Sequence, residues 1–271
     1  MKLPKVWNRK NRILLKELSK TDFKLRYQGS VLGYLWALLK PLLIFVILYI
    51  VFGKFLRFGA DVPNFPMYLL VGIVLWNFFT ECTNQGIQAI VQRAELLRKI
   101  SFPKYIVVVS ATTTALINLG VNLIVVVVFA LINGIMPSLL WLIALLPIIE
   151  LYLLALGISL LLGAINVKYR DITSIWEVLI QALFYAVPII YPLSLVINNA
   201  GPQIAKLLLL TPMAQTIQDV RYCLITNETA TVWNMIGSWW IKIIPIIATV
   251  VILILGALYF RKKSKYFAEE A

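Results

Sequence analysis

Histidine is absent from all 271 residues. That gap removes Ser-His-Asp triads, imidazole metal ligands and imidazole proton relays from the chemistry open to the chain. Cysteine is nearly as scarce, and Cys82 and Cys223 fall in segments expected to approach opposite faces of a membrane, so no disulfide is expected. The phosphate-cradling Gly-x-x-x-x-Gly-Lys-Ser/Thr run is also missing: its nearest fragment, Gly53-Lys54, lacks the first glycine and is followed by Phe55. The chain therefore cannot hold ATP by a P-loop. Most of its 12 acidic residues lie in loops or beside basic ones, with no paired carboxylates and no metal-ligand cluster. Catalysis by this polypeptide alone is not expected, nor is a metal or cofactor of its own.

What the chain has in abundance is apolar surface. Hydrophobic residues make up 61% and charged ones 14%, mean hydropathy is +0.88, and several apolar runs exceed the roughly 18 residues that suffice to span a bilayer. The expected fold is all-α, a polytopic membrane protein. A net charge of +13 could suggest nucleic acid, but the basic residues sit between and outside the apolar runs. Nineteen of them precede the first run, fall within residues 93–104, occupy Lys168 and Arg170, or follow the last run at 261–265. About five, namely Lys54, Arg57, Lys206, Arg221 and Lys242, are left for the other face. Such asymmetry orients a protein with its basic loops inside, which predicts a multi-pass protein of the cytoplasmic membrane with both termini cytoplasmic. Anionic lipid head groups are the secondary reading, and nucleic acid is not expected as a partner.

Six spans satisfy this charge pattern. Residues 1–30 are basic, with Leu14, Leu18 and Leu25 at helical spacing opposite Lys16, Lys20 and Lys24, which predicts an amphipathic helix on the inner membrane surface. The run that follows is too long for a signal peptide and lacks a clear cleavage site, so it is read as a retained first span over 35–56. In the second span, 67–87, Asn77, Glu81, Gln85, Gln88 and Gln92 share one helical face and extend just past its end. A polar stripe in hydrocarbon must face protein or water, so it serves either interhelical hydrogen bonds or a translocation path. The third span, 105–133, carries Ser110, Thr114, Asn118 and Asn122 at four-residue spacing, a pattern that usually packs helices together. The fourth, 139–165, holds a ladder of Ala155, Ser159 and Gly163, and also Glu150, an intramembrane acid that is either functional or a buried hydrogen-bonding group. The fifth, 172–191, is marked by prolines and aromatics, and the last, 233–260, begins with Trp233, Trp239 and Trp240. Between these two, 193–231 is broken by Gly201-Pro202 and Pro212 into pieces too short to cross. They read as re-entrant half-helices or as a lid on the outer interface.

One short run organises the rest. Residues 93–103, RAELLRKISFP, carry four charges between two long apolar segments, and Glu95 to Ile100 has room for about a turn and a half of helix before Pro103 stops it. A short amphipathic helix at that position is a handle that a soluble partner can push.

Four blocks, TDFKLRYQGSVLGYLWALLKPLL, LLRKISFPKYI, VKYRDI leading to LIQALFYAVPIIYP, and TPMAQTIQDVR, together resemble the permease subunits of type-2 ABC exporters. The nearest branch looks like the one that exports lipid-linked polysaccharides such as O-antigen, capsule and teichoic acid. Thr211-Pro212 stands where many relatives have Asn-Pro. The resemblance covers nearly the whole chain as a single permease domain. It implies a homodimer served by two copies of an ABC ATPase that binds the ATP and Mg, and a lipid-linked glycan as cargo. By position, Glu95, Leu96, Leu97, Arg98, Lys99, Ile100, Phe102 and Pro103 would form the main ATPase-coupling helix, with Lys168, Arg170 and Asp171 as a second contact. The amphipathic N-terminal helix would seat the ATPase, and 193–219 would close the outer end. A sliding polysaccharide needs flat apolar faces, for which Tyr49, Tyr68, Trp76, Phe79, Phe184, Tyr185 and Tyr191 are the candidates. Lys24, Arg26 and Lys40 lie at head-group depth, where a lipid phosphate would be attracted and where topology alone also places basic residues.

Overall fold

The computed structural model describes residues 9–27, 29–59, 62–100 and 102–267, with side chains left out for 25–27. Helix α1 (Arg9–Tyr27) is followed by a 3-10 turn and α2 (Trp36–Leu48), which runs on as a π-helical turn, Tyr49–Phe55. After α3 (Phe65–Gln92) come α4 (Ala94–Lys99), α5 (Tyr105–Ile132), the single turn α6 (Leu140–Ile143) and α7 (Leu145–Asn166). Helices α8 (Ile172–Ala186), α9 (Leu193–Ala200), α10 (Pro202–Leu209) and α11 (Pro212–Leu224) follow, then the short α12 (Val232–Met235) and α13 (Trp239–Lys242) and the long α14 (Ile244–Lys263). Every described element is helical, as the hydropathy pattern requires.

Among the described residues five stretches are long and apolar enough to cross a bilayer: Gly33–Phe55, Phe65–Gln92, Tyr105–Ile132, Leu140–Asn166 and Ile244–Lys263. Helix α8 is apolar but only 15 residues long, about 22 Å at 1.5 Å per residue. The sequence pattern carries this segment to residue 191, whereas the helix stops at Ala186. The cause is Pro188: the residue before a proline is pushed out of the helical region, and Val187 sits at φ −86°, ψ 140°.

Helix α3 is the axis of the bundle, buried along nearly its whole length. It packs against α5 on one side and α7 on another, and α14 packs on the far side of α7. Small residues set these distances. A Cβ added at Gly86 would meet Ser159 Cβ at 2.3 Å, and one at Gly256 would meet the Gly157 carbonyl oxygen at 2.2 Å, so α3–α7 and α7–α14 approach almost backbone to backbone. The Ala155, Ser159, Gly163 ladder supplies that close face of α7. Ser159 Oγ also donates to the Cys82 carbonyl at 3.3 Å.

The two ends of the bundle differ. At one end a separate apolar cluster joins Ile90 of α3, Leu97 of α4, Val107 of α5, Leu160 and Val167 at the end of α7, and Phe260 and Phe267 at the end of the chain. Helix α1 packs on α5 at this same end. At the other end α9, α10 and α12 share a small cluster through Leu193, Ala205, Leu209 and Val232. Helix α11 lies inside it, with buried residues on all its faces, packed on α7 and α3.

Candidate functional site

The α4 end is built around two anchors and an exposed face. Leu97 is buried in the end cluster and Phe102 packs against it, which seats α4 on the tips of α3, α5, α7 and α14. Glu95, Arg98, Lys99 and Ile100 point outward, with Lys99 Nζ 3.7 Å from Glu95 Oε2 along the helix. Leu96 and Pro103 are half-buried. The helix is Ala94–Lys99, and Ile100 is already extended at φ −130°, ψ 133°. Lys168, Arg170 and Asp171 are exposed in the turn between α7 and α8, at the same end. Leu97 and Phe102 thus join α4 to four long helices through apolar contacts.

Arg93 locks this end together. Its guanidinium pairs with the Asp22 carboxylate of α1, donates to Ser110 Oγ of α5 at 2.7 Å, and reaches the Val107 carbonyl at 3.4 Å. Burial lowers its pKa from the ordinary arginine value, but a guanidinium remains cationic at any physiological pH. Sequence reading counted Arg93 among the topological charges; its place as the joint between α1, α4 and α5 depends on contacts 17 and 71 residues away.

From that joint a polar groove runs up between α3 and α5. Its lower part, a cavity of about 360 Å³, is lined by Asp22, Gln85, Gln92, Arg93 and Thr114 among others. Its upper part, about 430 Å³, is lined by Lys40 and Trp36 from α2, Asn77, Thr80, Glu81, Asn84 and Gln85 from α3, and Asn118 and Asn122 from α5. The two polar stripes read from the sequence thus face each other. Glu81 Oε1 accepts from Asn118 Nδ2 at 2.6 Å and from Gln85 Nε2 at 3.2 Å. Asn122 Nδ2 donates to the Asn118 carbonyl at 2.8 Å and to the Ala37 carbonyl at 3.1 Å, tying in α2. Asn77 Nδ2 and Thr80 Oγ1 are buried and keep unused hydrogen-bonding capacity beside the groove. The stripes bond the helices together, and the same side chains wall a polar cleft. Gln88 turns away and accepts from Gln92 Nε2 at 2.9 Å.

The aromatic candidates separate by burial. Tyr68, Trp76 and Phe79 are enclosed within the protomer, with Trp76 against Phe79 and Phe184, and Phe79 against Trp176. Their faces are occupied by other side chains of the same protomer, a matter of packing that helical spacing could not show. Tyr185 is 65% exposed, and Phe184, Tyr191 and Tyr49 are half-buried. Lys24 and Lys40 are exposed, while the side chain of Arg26 lies outside the described residues.

Sequence reading placed Arg221 on the outer face as a topological charge. It is instead wholly buried in α11. Its Nε donates to the Tyr68 carbonyl at 3.0 Å, its Nη1 to the Pro188 carbonyl at 2.7 Å and to Gln218 Oε1 at 2.8 Å, and its Nη2 to the Ile189 carbonyl at 2.8 Å. The guanidinium carbon lies 3.4 Å from the centre of the Tyr68 ring, a cation–π contact. Two of those acceptors are carbonyls freed where Pro188 ends α8. Gly72 makes the approach to α3 possible, since a Cβ there would lie 2.3 Å from Nη2. The proline break visible in the sequence and the arginine 33 residues later are one structural unit.

Four similarities bear on this arrangement. The model of the family described as ABC-2 type transporter matches residues 13–224, from α1 through α11. The O-antigen export system permease protein RfbA of Myxococcus xanthus is 34% identical over 202 residues, covering 74% of this chain and 75% of that protein. Its namesake from Klebsiella pneumoniae is 29% identical over 180 residues, 66% and 68% of the two chains. The polysialic acid transport protein KpsM of Escherichia coli is 22% identical over 216 residues, 76% and 79%. With the family match extending over α4 and over the helices that wall the polar groove, this chain belongs to the ABC-2 type transporter family.

Proposed function

We propose that this chain is the membrane-spanning permease of an ATP-driven exporter that carries a lipid-linked polysaccharide of the O-antigen, capsule or teichoic acid kind across the cytoplasmic membrane. The observation that carries this reading is similarity over about three quarters of the chain to a named O-antigen export permease. In this reading two copies of the chain pair, each engages one copy of an ABC ATPase, and ATP and Mg are held by that partner. The α4 end faces the cytoplasm, and the exposed residues Glu95, Arg98, Lys99 and Ile100 meet the ATPase, with Lys168, Arg170 and Asp171 as the second contact. Leu96, Leu97, Phe102 and Pro103 transmit the push.

The polar groove suits the cargo. Amide side chains both donate and accept, so they exchange hydrogen bonds with sugar hydroxyls without fixing any one sugar. Lys40 at the groove, with Lys24 and Arg26 nearer the α4 end, attracts the lipid phosphate. Tyr49, Phe184, Tyr185 and Tyr191 offer ring faces to the sliding chain where two copies meet.

Deleting the gene is expected to abolish surface glycan and leave lipid-linked glycan accumulated on the cytoplasmic side, and restoring the intact chain is expected to reverse both. Undiminished surface glycan in the deletion strain, measured by immunoblot of surface polysaccharide, would overturn the reading.

A further inference from the structure

A second polar cluster lies inside the bundle, away from the groove. Glu150 of α7 shares a cleft with Asp219 and Gln215 of α11, and Thr249 of α14 lies close to it. Asp219 is already engaged on one oxygen, Oδ2, which accepts from Gln215 Nε2 at 2.5 Å and from Trp233 Nε1 at 3.0 Å. What remains is one-sided. Glu150 Oε1, Gln215 Oε1, Asp219 Oδ1 and Thr249 Oγ1 are all buried and all without a hydrogen-bond partner. Gln215 is 2% exposed and Thr249 1%, so these are enclosed atoms rather than surface ones.

Four orphaned oxygens, two of them from carboxyl groups, form a site rich in acceptors. The nearby cations are committed elsewhere. Arg221 turns to the opposite side of α11, toward Tyr68 and the α8 break. Lys242 Nζ donates to the Trp233 carbonyl at 2.8 Å and does not reach either acid. Buried carboxyl groups without a cation are costly, and what this cluster lacks is N–H donors carrying positive charge.

The same acids line a cleft of about 410 Å³ whose other walls are apolar: Ile143, Leu146, Pro147, Tyr222 and Ile246. Leu146 is 66% exposed and Ile143 48%, so the cleft opens at the apolar outer surface of the protomer. This volume lies in the range of small-molecule sites. We propose that the cleft between α6, α7, α11 and α14 binds an amphiphile with a primary ammonium head, its N–H groups on Glu150, Asp219 and Gln215 and its hydrocarbon body along Leu146 and Ile143. A primary ammonium brings three donors and a charge to a floor where two carboxyl oxygens and an amide oxygen are unmet, and its tail fits the apolar walls. The inference stands apart from the identity of the exported cargo.

The test uses the full chain purified in a neutral maltoside detergent, with dodecylamine as the probe and dodecanol as its uncharged counterpart. Dodecylamine is expected to raise the melting temperature of the protein by about 4 °C or more at saturation, with dodecanol producing little change. Glu150→Gln is expected to weaken the half-saturating dodecylamine concentration about tenfold. Since Asp219→Asn also disturbs Trp233 and Gln215, the second variant is Leu146→Trp, which narrows the mouth without touching the acids and is expected to abolish the shift. An equal shift with dodecanol, an equal shift with sodium chloride alone, or an unchanged dodecylamine response in both variants would overturn the proposal.

Discussion

Arg221→Leu is expected to leave almost no assembled permease. The substitution removes the guanidinium donor from four acceptors in the interior: three backbone carbonyls, and Gln218 Oε1, which keeps only the Tyr68 hydroxyl. Each such loss costs about 1–3 kcal/mol, against a total stability for a typical domain of about 5–15 kcal/mol. The expected destabilisation is about 4 kcal/mol or more, read as loss of the monodisperse peak in detergent and of the cooperative melting transition. Arg221→Lys separates charge from geometry. An ammonium carries the charge but not the planar fork that spans α3, α8 and α11, so lysine is expected to recover less than half of the loss. Gly72→Ala is expected to act in the same direction with a smaller effect. Its Cβ would fall 2.3 Å from Nη2, and a guanidinium already held by four hydrogen bonds cannot easily yield. A stable, well-assembled Arg221→Leu protein would mean that the α8 break is satisfied in some other way.

Charge reversal at Arg93 is expected to uncouple the machine while leaving it folded. The Arg93–Asp22 pair is only partly shielded, with side chains 18% and 22% exposed, so its loss is not a core defect. Close charge pairs of this kind couple by about 1.5 kcal/mol or more, and 1.4 kcal/mol is a factor of ten in an equilibrium. Arg93→Asp places two carboxylates together where α1 meets α5 and should free α1 from the α4 joint. The expected outcome is a drop of about tenfold in transport-coupled ATP hydrolysis, measured with the partner ATPase in proteoliposomes, with little change in melting temperature. Adding Asp22→Arg restores the pair in reverse order and is expected to recover most of the activity. Recovery in the double variant is the decisive result, since two independent defects would add.

These two arginines also mark what the sequence could and could not say. The handle at 93–103 is legible because its signals are local: charges between apolar runs, a helix of fixed room and a proline to end it. The polar stripes on α3 and α5 are legible as stripes by their spacing of three and four. That they face one another, with Asn118 bonded to Glu81 37 residues earlier, is a matter of packing. Arg221 and Asp219 were hidden for the same reason. A polar residue in a segment broken by proline and glycine looks like a loop residue until its carbonyl partners, more than 30 positions away for Arg221, come into view. Pro188 was seen, but the restriction it places on Val187 shortened α8 to 15 residues, an apolar helix of less than spanning length. Among the aromatics, spacing fixed which residues share a face, while burial decided that Tyr68, Trp76 and Phe79 pack inward and Tyr185 does not.

The central claim is that force from outside the membrane enters at α4, and a single cross-link tests it. Cys82 and Cys223 are both buried and free, so a cysteine introduced by Arg98→Cys is the accessible thiol of the chain. With a short bismaleimide and the co-purified ATPase carrying a cysteine on its permease-facing surface, position 98 is expected to form the covalent adduct, with a yield that changes when ATP is bound. A control Lys206→Cys at the opposite end of the bundle is expected to form none. An adduct from position 206 and none from position 98 would contradict the account.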